Sequence, residues 1–412
     1  MSLFLILLLS ACNKVGKDFI NPSNIKIYIN DLEESSVLPL DMWATSDNGF
    51  LVFGVCGNSV VSKFDGGGDI YLLKIGADGN TEWGKCFSLF QSGFPTNVIQ
   101  VDENKYTFLW NDITIDGSNT HKVNMSIGSD AQSTVITTSA ALDFECTFDC
   151  HYITSIVENA NTNGFTILGV GNEVVNDTLS VNKTFILQTD SDFKNPKTIS
   201  EKEFYSEEII GTALDNLSVV QIIEHHNQVL TDENSYIFTA PVANQMSLAN
   251  LGQVDAIYRD DNFWVGAINY LGNAQVSMVV NNPQIFGSPT YFIPNFDLNT
   301  TNKFSFASLP NKKEIFGLDT EDPTFLKTIG ENLNKQILIG TTTEGQVSIH
   351  VYDLLTDQNE KILLLGQGTR YQAAAVSLSF DQESIAIMGV TTISHQVQRP
   401  FLIRINKKEL FK

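Results

Sequence analysis

Short apolar runs alternate with polar turn signals along this chain, and long stretches of 3.6-residue periodicity are scarce. One run recurs behind the same polar lead: Asp47-Asn-Gly-Phe-Leu-Val-Phe-Gly-Val55, Glu103-Asn-Lys-Tyr-Thr-Phe-Leu-Trp110 and Thr162-Asn-Gly-Phe-Thr-Ile-Leu-Gly-Val170, with weaker copies at Glu233–Ala240, Leu333–Gly340 and Gln382–Val390. A second strand of alternating character follows most copies, as at Asp69–Ile75, Lys183–Thr189, Val347–Tyr352 and Pro400–Ile405. Such runs, rich in β-branched and aromatic residues and bounded by Asn, Asp and Gly, predict an all-β chain built from hairpins.

With Asn48, Asn104, Asn163, Asn234, Asn334 and Glu383 as markers, the copies recur about every 56 residues, and one interval near 100 hides a further copy. Six marked copies and the hidden one give seven units, and the period suits the four-stranded blades of a β-propeller. Six or eight blades are the alternatives, because Asn262–Ile268 and Lys303–Ser308 compete for the hidden copy. Asn24–Asn30 reads as a strand that precedes the first unit and is expected to complete the last one, closing the ring and removing an exposed edge.

The run Asn48-Gly-Phe-Leu-Val-Phe-Gly54, then Gly68-Asp-Ile-Tyr-Leu-Leu-Lys-Ile75, then Asp78-Gly-Asn-Thr-Glu-Trp-Gly-Lys85 resembles the blade repeat of bacterial secreted and lipoprotein β-propellers. The match is good over residues 41–87, partial over 151–195 and thin elsewhere. The resemblance implies a propeller fold and an envelope location; it implies no single activity.

The Asp78-Gly-Asn-Thr-Glu-Trp83 end is similar at first sight to a sialidase Asp box, but Gly79 follows Asp78 directly and Gly76 stands where that motif has Ser. It is better read as a hairpin turn, since Asp-Gly supplies the positive φ that tight hairpins need, with Trp83 packed between units. Sialidases also hold their substrate with three arginines, whereas the arginines here are Arg259, Arg370, Arg399 and Arg404, none of them in the first 258 residues. No Gly-x-Ser-x-Gly, His-Glu-x-x-His or Gly-x-x-x-x-Gly-Lys pattern occurs, so no catalytic residue, metal site or cofactor is expected. Loops within the hairpins are the expected recognition surface, namely Gly57–Gly68, Asn111–His121, Gly171–Asn182 and Pro241–Gly252. Trp110 stands at the mouth of one of them and is the candidate binding residue, its alternative being an aromatic of the core between units.

Charge narrows the partners: 25 Lys and Arg against 47 Asp and Glu leave a net charge of −22, which repels phosphate backbones and argues against nucleic acid. The N-terminal residues 1–11 form an apolar run too short to span a bilayer, and Leu9-Ser-Ala-Cys12 resembles a bacterial lipobox, although no Lys or Arg precedes it. That resemblance implies a signal peptide over 1–11, lipidation of Cys12, a tether over 12–23 and a single β-propeller domain over 24–412. Asn13 is not the Asp that commonly retains lipoproteins at an inner membrane, which favours the outer membrane. An exported chain permits disulfides. Cys146 and Cys150 are close enough to pair around a turn and are the candidate bridge, whereas Cys56 and Cys86 would have to meet in space. The expected role is a lipid-anchored, non-catalytic binding or scaffold module for an envelope protein or glycan. The alternatives are a carbohydrate-active enzyme using carboxylates at the channel mouth, and a structural spacer.

Overall fold

In the computed structural model the described residues are 17–19, 25–27, 36–57, 69–114, 117–144, 149–159, 164–176, 179–204, 235–240, 245–250, 253–258, 264–272, 275–281, 290–297, 313–315, 325–328, 335–342, 345–356, 358–365, 371–394 and 397–410. They form an all-β architecture of consecutive antiparallel sheets, with one short terminal helix. Two short strands come first, β1 (Lys17–Phe19) and β2 (Ile25–Ile27). The first sheet holds β3 (Ser36–Ala44), β4 (Phe50–Gly57), β5 (Asp69–Ile75) and β6 (Thr81–Phe87). The second has β7 (Phe94–Pro95), β8 (Ile99–Asp102), β9 (Lys105–Thr114), β10 (Gly117–Ser126) and β11 (Val135–Leu142). The third has β12 (Asp149–Asn159), β13 (Gly164–Asn176), β14 (Leu179–Thr189) and β15 (Lys197–Phe204). The fourth has β16 (Ser235–Ala240), β17 (Gln245–Asn250) and β18 (Gln253–Tyr258), and the fifth β19 (Trp264–Gly272), β20 (Gln275–Asn281), β21 (Thr290–Asp297) and β22 (Lys313–Ile315). The sixth has β23 (Phe325–Thr328), β24 (Lys335–Thr341), β25 (Val347–Asp353) and β26 (Gln358–Leu365). The seventh has β27 (Tyr371–Leu378), β28 (Ser384–Ser394) and β29 (Val397–Asn406), followed by helix α1 (Lys407–Leu410).

Among the described residues there are thus seven sheets, and the hidden copy is the fifth, which contains the strand expected at Asn262–Ile268. The other contender, Lys303–Ser308, lies outside the described residues. Of the markers, Asn48, Asn104 and Glu383 fall in the turn that leads into the second-position strand of their sheets, β4, β9 and β28, whereas Asn163, Asn234 and Asn334 lie outside the described residues. Strand β2 sits on the far edge of the seventh sheet, antiparallel to β29, with Ile25 opposite Ile403. Lys17–Phe19, inside the stretch expected to be only a tether, pairs in parallel with β26 and extends the sixth sheet.

The turns explain the polar lead of the repeat. Thr45 N–H donates to Gly49 O and Asn48 N–H to Thr45 O, with Asn48 at φ 61°. Gly76–Asn80 repeats the same bonds with Gly79 at φ 75°, and Asp190–Lys194 does so with Phe193 at φ 59°. A type I turn followed by one left-handed residue is the standard three-residue hairpin loop, and Asn and Gly reach that conformation at least cost. The Asp78-Gly79-Asn80 hairpin expected from sequence is therefore present.

The Gly-Val that closes the repeat has a separate cause. The first strand bulges where it passes the second, between Pro39 and Asp41, between Ile153 and Ser155, and between Ala373 and Ala375. Opposite each bulge stands a glycine: Gly54, Gly169 and Gly389. A Cβ at Gly54 would lie 2.3 Å from Leu38 O, and one at Gly389 2.0 Å from Gln372 O. The bulge pushes a carbonyl into the space a side chain would occupy.

Apolar side chains fill the gaps between successive sheets. Leu51, Phe53, Ile70 and Leu72 of the first sheet meet Tyr106, Phe108 and Trp110 of the second, with Trp83 between them as expected. Leu109 of the second joins Ile153, Ile167 and Phe185 of the third, and the sixth and seventh sheets share another cluster. The seventh packs back on the first: Ala386, Met388 and Leu402 lie against Phe50, Val52 and Tyr71. Arg404 reinforces that contact by donating to Ala77 O at 2.7 Å. Each large side chain so buried contributes about 1.5–3 kcal/mol.

Cys56 and Cys86, the pair that spacing did not favour, form a disulfide with Cα atoms 6.3 Å apart. The hairpin pairing carries them together, since β4 and β6 both flank β5. Cys146 lies outside the described residues, as does the side chain of Cys150, and so does Cys12. The Cys56–Cys86 bridge closes a 30-residue separation. Its reduction, or the Cys86→Ser change, is expected to lower stability by about 2 kcal/mol, read as a drop in the urea midpoint. An unchanged midpoint in dithiothreitol would contradict that contribution.

Candidate functional site

The sheets present two kinds of edge. On one lie the turns between first and second and between third and fourth strands; on the other lie the hairpins between second and third strands. The first edge carries many acids, and their geometry assigns them to the turns. Asp47 accepts from Gly49 N–H at 2.9 Å and Asp78 from Asn80 N–H at 2.8 Å. Asp130 accepts from the N–H groups of Gln132 and Ser133, Asp190 from those of Asp192 and Lys194, Asp353 from those of Leu355 and Thr356, and Asp381 from that of Glu383. These bonds favour the charged form at four of the positions, and the carboxyls of Asp130, Asp190, Asp353 and Asp381 sit below their ordinary range, led by Ser133, Lys194, Thr356 and the Ser379 hydroxyl respectively. An acid held ionised by its own turn is poorly placed to donate a proton.

Asp47 has the largest shift of this set. Burial opposes its ionisation, but bonds from Lys74 Nζ at 2.6 Å, the Thr45 hydroxyl and Gly49 N–H outweigh that and bring it to about 2. A depressed folded value stabilises above the ordinary carboxylate value and is lost as pH falls through about 2. Because the Asp47 side chain is 50% exposed, solvent screening limits the gain to about 0.5–1 kcal/mol. Asp47→Asn should remove that increment at neutral pH and leave stability below pH 2 unchanged, measured by urea unfolding across the acid range.

The hairpin edge differs from expectation. Asn111–His121 and Gly171–Asn182 are not loops: β9 pairs with β10 up to Thr114 opposite Gly117, and β13 pairs with β14 up to Asn176 opposite Leu179. Their neighbours stop earlier. β11 ends its pairing at Thr120, and β7 reaches only Asn111. In the third sheet β12 stops at Asn172 and β15 at Asn182. Two adjacent sheets thus each extend a two-stranded ribbon past their flanking strands. Of the other two expected loops, Pro241–Gly252 is mostly strand, since Gln245–Asn250 is β17 and pairs with both β16 and β18, while residues 58–68, 241–244 and 251–252 lie outside the described residues.

At the base of the β9–β10 ribbon stands Trp110, and the structure corrects its expected role. It is 1% exposed, and its indole N–H donates to Ser92 O at 3.1 Å. The half-buried Phe90 stacks over it with ring centroids 5.2 Å apart. Trp110 therefore belongs to the core, and Phe90 is the aromatic nearest solvent. Gly93, at φ 119°, lets the covering segment lie against the strand, since a Cβ there would come within 2.0 Å of Asn111 O.

His121 lies directly across from Trp110, 5.1 Å from the Phe90 ring. Its Nδ1 is 3.1 Å from Ser139 O; a carbonyl only accepts, so Nδ1 carries the proton and Nε2 is the acceptor of the neutral ring. The register puts Asp112 and Asn119, an opposed pair, on the same face one step toward the ribbon tip. An aromatic ring beside a His acceptor, a carboxylate and an amide suits hydroxyl-rich or peptide ligands. Sequence pointed to this neighbourhood through Trp110 and through the stretch Asn111–His121, which holds Asp112, Asn119 and His121, and missed Phe90 in the segment before the ribbon. Among the described residues no group of three or more His, Cys, Asp or Glu is placed to hold a metal ion.

No protein-family model matches the chain, and no curated protein matches it. Among solved structures, YCF48 bound to D1 peptide is similar with a TM-score of 0.49 and 11% identity, over 95% of this chain and 99% of that one. A Penicillium chrysogenum alpha-L-arabinanase complexed with arabinobiose gives 0.43 and 11%, over 96% and 99%. A mutant Trypanosoma rangeli sialidase displaying trans-sialidase activity gives 0.45 and 8%, over 96% of this chain and 60% of that one. The chain therefore spans 60% of the length of that sialidase.

Proposed function

We propose that the seven sheets are the blades of a β-propeller, closed where β2 completes the seventh, and that it serves as a non-catalytic module binding a protein or glycan. Anchored through Cys12 at the outer membrane, it works at the bacterial envelope. Packing of the seventh sheet on the first supports the ring. The single observation that carries the binding role is the pair of ribbons extending from the second and third sheets on one edge. Past their flanking strands the outer backbone edges of these ribbons pair with no other described strand, the arrangement to which an extended ligand can add.

The test is to trim the β9–β10 ribbon, replacing residues 113–118 with Asn-Gly so that Asp112 and Asn119 flank a two-residue turn. The wild-type soluble domain should capture a reproducible envelope protein or array glycan, and the trimmed form, with an unchanged melting temperature, should lose it. Retention of the ligand by the trimmed form sinks this reading. Turnover of a captured glycan would replace it with a carbohydrate-processing enzyme.

A further inference from the structure

Among the described residues, the far-edge strand of every sheet but one carries charge. Glu82 and Lys85 lie on β6; Lys197, Glu201, Lys202 and Glu203 on β15; Asp255 on β18; Lys313 and Glu314 on β22. The sixth sheet is edged by β1 with Lys17 and Asp18, and the seventh by β2 with Lys26. Charge on an edge strand is the usual protection against pairing with another chain. The exception is β11 of the second sheet, Val-Ile-Thr-Thr-Ser-Ala-Ala-Leu, which has none. Its Val135 is 55% exposed.

We propose that β11 is a self-association edge, and that its occupant is β11 of a second copy, antiparallel about a two-fold axis. The usable run is Val135–Thr138, because the strand bulges beyond Thr138, where Ser139 turns its hydroxyl to Lys122 N–H and its carbonyl to His121. Antiparallel self-pairing of this run sets Val135 against Thr138 and Ile136 against Thr137. All four residues are β-branched, the pairs that cross-strand contact favours.

Self-complementarity selects a second copy, since across the two-fold axis every β-branched residue of the run meets another. The net charge of −22 holds copies apart elsewhere, and this edge is where two copies can meet without opposing strand charges. The fold already accepts a strand at this position of a sheet, since β1 adds to β26 and β2 to β29 in the same way. The contact is small, so the dimer is weak in solution; a shared membrane surface would concentrate it.

Sedimentation velocity of the soluble domain across about 1–200 µM tests this, spanning the range in which a small edge contact populates a dimer. Wild type should shift from monomer to dimer, and Thr137→Lys should remain monomeric with an unchanged circular dichroism spectrum and melting temperature. Should Thr137→Lys fold poorly, Val135→Lys gives the same reading from an exposed position. A wild type monomeric at every concentration overturns the proposal. So does a dimer that folded lysine variants leave intact, or a monomer whose β11 is bound by a different envelope protein.

Discussion

Asn111→Asp is expected to cost about 4 kcal/mol at neutral pH, close to the stability of many whole domains. The Asn111 side chain is fully buried and acts as a surrogate peptide between two sheets. Its Oδ1 accepts from Ile153 N–H at 2.8 Å, and its Nδ2 donates to Ile153 O at 2.7 Å. The β12 backbone bulges just past Ile153, and the amide satisfies the two groups there. Asn97 makes the same pair of bonds to Ile156, from Ile156 N–H at 2.8 Å and to Ile156 O at 2.9 Å. Aspartate keeps the acceptor but aims a buried negative oxygen at Ile153 O. The sign of the pH response follows: burial raises the folded value of the new carboxyl, so the loss is greatest above it and shrinks as pH falls toward the ordinary carboxylate range, where a protonated oxygen can again donate to Ile153 O. Urea unfolding of wild type and variant at pH 7 and pH 4 measures both. A gap that does not narrow at pH 4 would show that the amide is not the surrogate described.

Gly54→Ala is expected to cost about 3 kcal/mol. The added methyl would lie 2.3 Å from Leu38 O and 3.0 Å from the Pro39 Cα, both backbone, so no side chain can swing aside. The first strand must give up its bulge or the second must move out of the core shared with the seventh sheet. The control is Gly76→Ala, where the nearest atoms, at 3.0 and 3.3 Å, are the carboxylate oxygens of Glu82 and Asp78, which can yield. Thermal melts of the two variants should differ clearly in midpoint. Equal midpoints would mean that the bulge relaxes freely and the repeat keeps its glycine for another reason.

The parts of the fold legible in sequence are those set within a few residues. The Asp78-Gly79-Asn80 turn and the Asn48 marker at φ 61° each follow from local sterics, and repetition multiplied the signal until seven units could be counted. What stayed hidden depends on distant partners. Nothing near Asn111 announces Ile153, 42 residues on, and nothing near Cys56 announces Cys86. The ribbons read as loops because Asn111–His121 is mostly polar. Without a run of alternating apolar residues, the pattern that reveals a strand is missing there. For Trp110 the structure bears out the core reading over the binding one, and a sequence cannot show that Phe90 and Gly93 close over it.

Strand β2 has a consequence for the order in which the molecule can be completed. Ile25 is made long before its partner Ile403. Until residue 403 is made, β2 lacks the strand it joins, and the seventh sheet then acquires its far edge in one late step. Every chain cut short before β29 shares the same defect, an unpaired β2, and so carries a mark of incompleteness that a protease can recognise whatever the missing length. Synthesis of β29 erases that mark.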